Sequence, residues 1–336
     1  MTIMSYSDSG VSPRTNLYAA QEMLDWAHPV MVLDKFAETK PMPKNKTETI
    51  KFRRPIPFTA KTVPLVEGVT PPSTAFAYED VSVSLKQYGD WVEITDKMED
   101  LLEDPVLNDA SQQCGENIGR TMEALTYGVV RAGTNVYYTN GTSRTDVNTP
   151  VSVMKLRAVV RGLEAQKAKK ITKMLSPSMD YGTKAIEAAY IAFCHTDLKS
   201  DIRNLPGFVP VAEYGSRQPV HDQEFGTVED IRFLTSPDLG AFTDAGAAKS
   251  GSGTTMVSTT GTSADVYPII VIGEKAYATV PLKGMGSVTP GIMRPGKISP
   301  TDPLGQRGFV SWKTYFAALI LNQAWIARLE TAATAL

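Results

Sequence analysis

Between Lys44 and Thr95 the chain carries a stretch that suits neither a helix nor the middle of a sheet. Ile50, Phe52, Ile56 and Phe58 fall on one side of an alternating pattern, with Lys51 and Arg53 on the other, the period-two signature of a strand. A second alternating run follows, in which Val81, Val83 and Leu85 oppose Ser82, Ser84 and Lys86. Between the two, Pro55, Pro57, Pro64, Pro71 and Pro72 remove backbone donors, and Glu67-Gly68 sits among them. Residues 44–85 are therefore expected to form a long, projecting β-hairpin with an irregular tip. Such a hairpin is marginal alone and wants a partner surface. After Gln87-Tyr88-Gly89 the apolar phase moves to Val92 and Ile94, which predicts a bulge at the glycine.

The flanking segments read differently. Residues 1–43 look like an arm: a polar run from Ser5 to Arg14, an amphipathic stretch from Ala20 to Phe36, then Lys40-Pro-Met-Pro43, which favours extended backbone. Beyond the hairpin a long helix is expected over 105–132, with Pro105 near its start and Gly133 just past its end. Leu107, Ala110, Cys114, Ile118, Met122, Leu125 and Val129 step by three or four residues into one apolar stripe. Asn108, Gln112, Glu116, Arg120 and Glu123 are expected on the polar face. Gly115 and Gly119 are costly inside a helix, and their expected use is to let another backbone approach closely.

A second helix is expected to open with Thr149 as N-cap and Pro150 as first residue, burying Val153, Leu156, Val160 and Leu163. Tyr190 to Cys194, Val228 to Thr235 and Val266 to Ile272 read as strands, and Asp197 to Asn204 as a helical turn or two. Of the 25 residues from Gly240 to Ala264, 20 are Gly, Ala, Ser or Thr. They offer too little apolar volume for a core and predict a mobile surface loop. The segment from Phe309 to Glu330 fits two periods at once: Trp312, Phe316, Leu319, Gln323 and Ile326 suit a helix, while Val310, Trp312, Thr314 and Phe316 suit a strand.

A net charge of −2 argues against a dedicated nucleic-acid binder, which usually carries a basic excess. Cys114 and Cys194 cannot make a disulfide framework, which suggests a reducing, intracellular setting. Met1 to Asp8 lack the marks of a signal peptide, and the apolar run from Tyr315 to Leu321 is far short of the roughly 20 residues that span a bilayer, so a soluble cytoplasmic chain is expected. Neither a zinc spacing nor a nucleophile elbow occurs, and Gly251-Ser-Gly253 and Gly284-Met-Gly286 lack the ending of a phosphate loop. Cys194-His195 with Asp197 could suggest a thiol nucleophile, but neighbours on a strand point to opposite faces. No catalytic residue, metal ligand or cofactor is expected.

Charge is segregated along the chain. Glu93, Asp96, Glu99, Asp100, Glu103, Asp104 and Asp109 lie close together with Lys97 as the only base among them. Lys44, Lys46, Lys51, Arg53, Arg54 and Lys61 form one basic run, and a second lies between Lys155 and Lys173. Each run could be an ordinary solvated face. Together they suit self-association, since complementary patches fix register between copies. Lys51, Arg53 and Arg54 are expected to meet Glu99 and Asp100 of a neighbour, with Glu67 and Gly68 at the reaching tip.

Arm, projecting hairpin, long helix with glycines, α/β region and returning C-terminal segment, in that order, resemble the Hong Kong 97-type capsid subunit. Particular runs are similar to the major capsid group typified by the coliphage N-four: Lys40-Pro-Met-Pro43, Ile50-Lys-Phe-Arg-Arg54, Leu65-Val-Glu-Gly-Val-Thr-Pro71, Gln87-Tyr-Gly89 and Thr95-Asp96. Asp265-Val-Tyr-Pro268, Gly273-Glu-Lys-Ala-Tyr277 and the stretch from Ser311-Trp312 to Leu321-Asn322 continue the likeness, which covers most of the chain from about residue 20.

The resemblance implies an α+β fold of the Hong Kong 97 type. Residues 1–43 would be the N-arm, 44–85 the extended loop over a neighbouring subunit, and 86–149 a peripheral domain with the spine helix at 105–132. Residues 150–304 would be the axial domain, and 305–336 would return to the peripheral domain, with strands rather than a helix after Trp312. The implied function is a non-enzymatic major capsid protein, self-assembling through pentamers and hexamers into an icosahedral phage head around double-stranded DNA. Scaffold, portal and decoration proteins and non-specific contact with packaged DNA would be its partners, with no membrane and no cofactor. It would reside in the virion after assembly in the host cytoplasm. An encapsulin-like nanocompartment shell remains as an alternative, and a cytoplasmic hydrolase using Cys194 or the acidic run as a more distant one.

Overall fold

The structure is a computed structural model that describes residues 31–101, 106–172, 188–213, 219–249, 255–283, 288–298 and 302–336 of the 336-residue chain. Most of the expected amphipathic stretch in the arm, Pro105, Glu103, Asp104, Gly251-Ser-Gly253 and Gly284-Met-Gly286 lie outside the described residues.

The arm enters as β1 (Glu38–Thr39), which runs parallel to Ala278 and Thr279. The hairpin follows as β2 (Thr49–Pro55) and β3 (Tyr78–Ser84), paired antiparallel from Thr49 opposite Ser84 to Pro55 opposite Tyr78. Its alternation is used at the base: Ile50, Phe52, Val81 and Val83 pack on Met42, Leu85, Val280 and Leu319. Beyond Ile56, whose N–H reaches the Ala77 carbonyl, the prolines leave the chain extended and without a strand partner.

β4 (Lys86–Thr95) pairs with the long β13 (Arg307–Ile320) in unbroken register, from Lys86 opposite Phe316 to Thr95 opposite Arg307. The expected bulge at Gly89 is therefore absent. The apolar phase changes at Leu85, where the chain leaves the hairpin and joins a different sheet. Gly89 serves another purpose: a Cβ there would lie 2.7 Å from the Trp312 carbonyl oxygen.

Two helices follow, α1 (Asp96–Leu101) and α2 (Val106–Arg131). The first half of α2 lies on the sheet, Cys114 and Ile118 meeting Ile94, Val310 and Trp312. Further along, the buried side moves to Glu123, Thr126, Tyr127 and Val130, while Leu125 and Val129 are half-exposed. Glu123, expected on the polar face, is only 1% exposed. The buried side of α2 changes along its 26 residues because its two halves meet different neighbours, the five-stranded sheet first and then the other sheet with the arm.

The five-stranded sheet comprises β1, β4, β11 (Tyr277–Pro281), β12 (Val288–Met293) and β13. A seven-stranded sheet holds β5 (Val136–Tyr138), β6 (Tyr190–Cys194), β7 (Phe208–Pro210), β8 (Glu224–Val228), β9 (Ile231–Thr235), β10 (Val266–Ile272) and β14 (Ile326–Ala332). Their spatial order is β5-β14-β10-β6-β9-β8-β7. One face carries α3 (Val153–Ala165) and α4 (Lys199–Arg203), through Leu156, Val159, Leu163 and Ile202. Val32, Leu33, Tyr127 and Val130 cover the other, so β6 and β10 are buried on both sides. The sheets cross the expected segment boundaries: β5 and β14 join the sheet of the 150–304 region, and β11 and β12 join the sheet built on β13.

Three further expectations are corrected. The second helix begins at Val153 behind Ser152, because the Thr149 carbonyl is already engaged by the Ala332 N–H and the hydroxyls of Thr139 and Thr331. Val228 to Thr235 is not one strand but the end of β8, a turn with Glu229 at φ 50°, and β9. The small-residue segment after Gly240 is packed in its described parts: Met256 and Ala264 are buried with Val147, Val266 and Ala332. A Cβ on Gly246 would overlap the Val147 carbonyl, so smallness there permits close backbone packing. Between Phe309 and Glu330 the strand period prevails, because β13 has partners along both edges and β14 lies between β5 and β10.

Candidate intersubunit surface

The hairpin divides into a paired base and an apolar tip. Arg53 lies directly opposite Asp80 and Arg54 opposite Glu79. Arg53 donates from Nε and Nη2 to the Asp80 carboxylate at 2.7 and 3.0 Å, Lys51 lies 3.5 Å from the same group, and Arg54 Nε donates to Glu79 at 2.7 Å. The hydrogen bond from Arg53 holds the Asp80 carboxyl below its ordinary range. The three bases expected to reach a neighbour are thus answered across their own hairpin. Sequence reasoning misses Asp80 and Glu79, although aligning the strands from Thr49 and Ser84 places them there.

Past this ionic ladder eight large apolar side chains are open to solvent. Ile56, Phe58, Val63, Leu65, Val66, Val69, Phe76 and Tyr78 are all exposed, Val63 to 81%. Phe76 meets Tyr78 edge-on at 4.6 Å and Phe58 at 5.9 Å, Arg53 stacks over Tyr78, and Lys61 Nζ donates to the Pro72 carbonyl at 2.8 Å. These contacts give the tip a defined shape without burying it. Glu67 is exposed and Gly68 takes a positive φ of 77°, a turn conformation that suits glycine.

Glu99 and Asp100 lie exposed on α1 and form no ion pair among the described residues. Gly115 and Gly119 are buried on α2. Cys194 and His195 diverge: the Cys194 thiol is fully buried, donates to the Leu234 carbonyl and is pushed well up by burial. His195 Nδ1 accepts from the Asp197 N–H, while Asp197 takes a 2.7 Å hydrogen bond from the Tyr267 hydroxyl. That arrangement closes a turn and gives the thiol no base among the described residues.

Sequence reasoning missed the anchorage of the arm. Glu123 on α2 accepts backbone N–H bonds from Val32 at 3.3 Å and from Leu33 at 3.1 Å. The Tyr277 hydroxyl donates to the Leu33 carbonyl at 2.5 Å, and Phe36 packs on Phe193. Burial pushes the Glu123 carboxyl up to about 7, against the opposing pull of the two N–H bonds. A glutamate among i, i+4 polar residues carries no local sign that it will cap a distant segment.

Comparison with known proteins agrees with this architecture. The family model for phage capsid protein matches residues 78–328. The major capsid protein of Pseudomonas phage KPP21 is 23% identical over 202 residues, covering 57% of this chain and 51% of that relative, so the chain spans about half the length of the curated relative it matches. The capsid of Ralstonia phage GP4 has a TM-score of 0.64 at 13% identity, over 89% of this chain and 87% of that one. The holo-SrpI encapsulin complex from Synechococcus elongatus has a TM-score of 0.51 at 10% identity, over 89% and 86%. The fold is the α+β Hong Kong 97-type capsid fold, and the extent of the family match shows that the chain belongs to the phage capsid protein family.

Proposed function

We propose that this chain is the major capsid subunit of a tailed phage, assembling through pentamers and hexamers into an icosahedral head around double-stranded DNA. The observation that carries the reading is the hairpin tip, whose eight large apolar side chains stand in solvent on a stalk with a buried base. Large apolar side chains exposed together on one short segment mark an interaction site. A tip that lies over a neighbour buries those side chains and turns a small contact into an interlocked one, multiplied by symmetry.

The test is to replace Pro57 to Phe76 with a short turn. The variant should keep the cooperative melting of the parent, because the base strands and their core remain, yet yield only monomers or single capsomers by size exclusion and electron microscopy. Closed shells from the shortened chain would refute the strap role. An encapsulin-like shell is the second reading, supported by the likeness to the cyanobacterial complex. Purified particles holding protein cargo rather than DNA would favour it.

A further inference from the structure

Three arginines converge on one phenylalanine where α2 ends. Arg131 and Arg144 each place the guanidinium carbon 3.5 Å from the Phe242 ring centroid, and Arg328 lies 5.8 Å away. Two guanidinium groups that close to one ring must take its opposite faces, so Phe242 acts as a platform that fixes both. Glu330, fully buried, is the only carboxylate that acts on Arg144 and Arg328 among the described residues. Arg144 occupies it from two nitrogens, at 2.8 and 2.7 Å. Arg328 Nε lies 2.9 Å from the same carboxylate but off the line that a hydrogen bond needs, and its Nη1 donates to the Arg131 carbonyl.

The charges do not balance. Three guanidinium groups face one carboxylate and the partial negative end of α2, worth about half a charge, leaving an excess of about 1.5 positive charges around a half-buried ring. Arg131 has no carboxylate partner among the described residues, and its side chain and that of Arg144 remain partly open to solvent. Gathering like charges without an anion is unfavourable, the more so away from bulk water. A second carboxylate would supply one charge. A phosphate supplies up to two, with several acceptor oxygens for planar guanidinium forks.

We propose that Arg131, Arg144 and Arg328, held around Phe242, form a phosphate-binding site that takes a single phosphate group, free or within a nucleic-acid backbone. The site is a property of one chain and does not require the shell.

The experiment is isothermal titration of the full chain, unassembled and in phosphate-free buffer, with inorganic phosphate and with a short DNA duplex. Wild type should bind phosphate saturably. Arg131→Gln should weaken binding at least tenfold. Arg120→Gln, on the exposed face of the same helix where Arg120 pairs with Glu116, should leave it unchanged. Displacement of phosphate by the duplex identifies the backbone as the source, and phosphate binding that the duplex leaves intact identifies free phosphate. Absence of saturable phosphate binding, or equal weakening by the two substitutions, overturns the site. If Arg131→Gln does not fold, Arg131→Lys keeps the charge but loses the fork, and undiminished phosphate affinity in that variant would also overturn it.

Discussion

Replacing Glu123 with glutamine tests the anchorage of the arm through its dependence on pH. The carboxyl is 1% exposed and its pKa is raised from 4.5 to about 7, mainly by burial. A raised carboxyl pKa means that the folded state holds a proton that the unfolded chain releases. The stability contributed by that proton is fully present below about pH 4.5 and is lost as pH rises through about 7. At about 1.4 kcal/mol per pKa unit, the loss across this window is about 3 kcal/mol. Glutamine can keep its oxygen at the Oε2 position, which accepts from both Val32 and Leu33, but then sets an amide donor at the Oε1 position against the Leu33 N–H, a cost of about 1–3 kcal/mol that does not vary with pH. Glu123→Gln should therefore be less stable than wild type near pH 4.5, and by pH 8 the difference should shift by about 3 kcal/mol in favour of glutamine, enough to cancel or reverse the gap. Urea titrations of the unassembled subunit at several pH values measure it, and comparing the two proteins cancels the titration of every other group. A gap that stays constant from pH 4.5 to 8 would show that Glu123 does not ionise in the folded chain as described, and the account of the anchorage would fail.

Two further predictions concern the hairpin and the long helix. Reversing Arg53 to Glu should loosen the hairpin base and slow assembly, and Asp80→Arg on the same chain should restore both, as read by amide exchange and light scattering. Rescue by Glu99→Lys with Asp100→Lys instead would place the partner on a neighbour. Alanine at Gly115 or Gly119 gains about 1 kcal/mol of helix propensity, yet should lower the melting temperature because both positions are buried. A higher melting temperature in both variants would show that no close packing depends on them.

What the sequence determined by itself is what repeats over a few residues. Alternation at Ile50, Phe52, Val81 and Val83, with prolines between, specified the hairpin and its projecting tip, because a chain without N–H donors cannot be paired on both sides. The stripe through Cys114 and Ile118 specified α2, and the apolar runs gave β6 and β10 at their observed limits. Tertiary structure decided whatever depended on a partner far along the chain. Trp312 and Phe316 satisfied both periods until β4, β11 and β12 supplied hydrogen bonds along β13. Arg53 and Arg54 looked free until strand register set Asp80 and Glu79 opposite them, 27 and 25 residues away. Glu123 looked solvated until the arm, 90 residues earlier, brought two N–H groups to it. Periodicity reports which side of an element is apolar. Only the folded chain decides which neighbour meets that side, and so whether a polar group there is paired, buried or left to face another molecule.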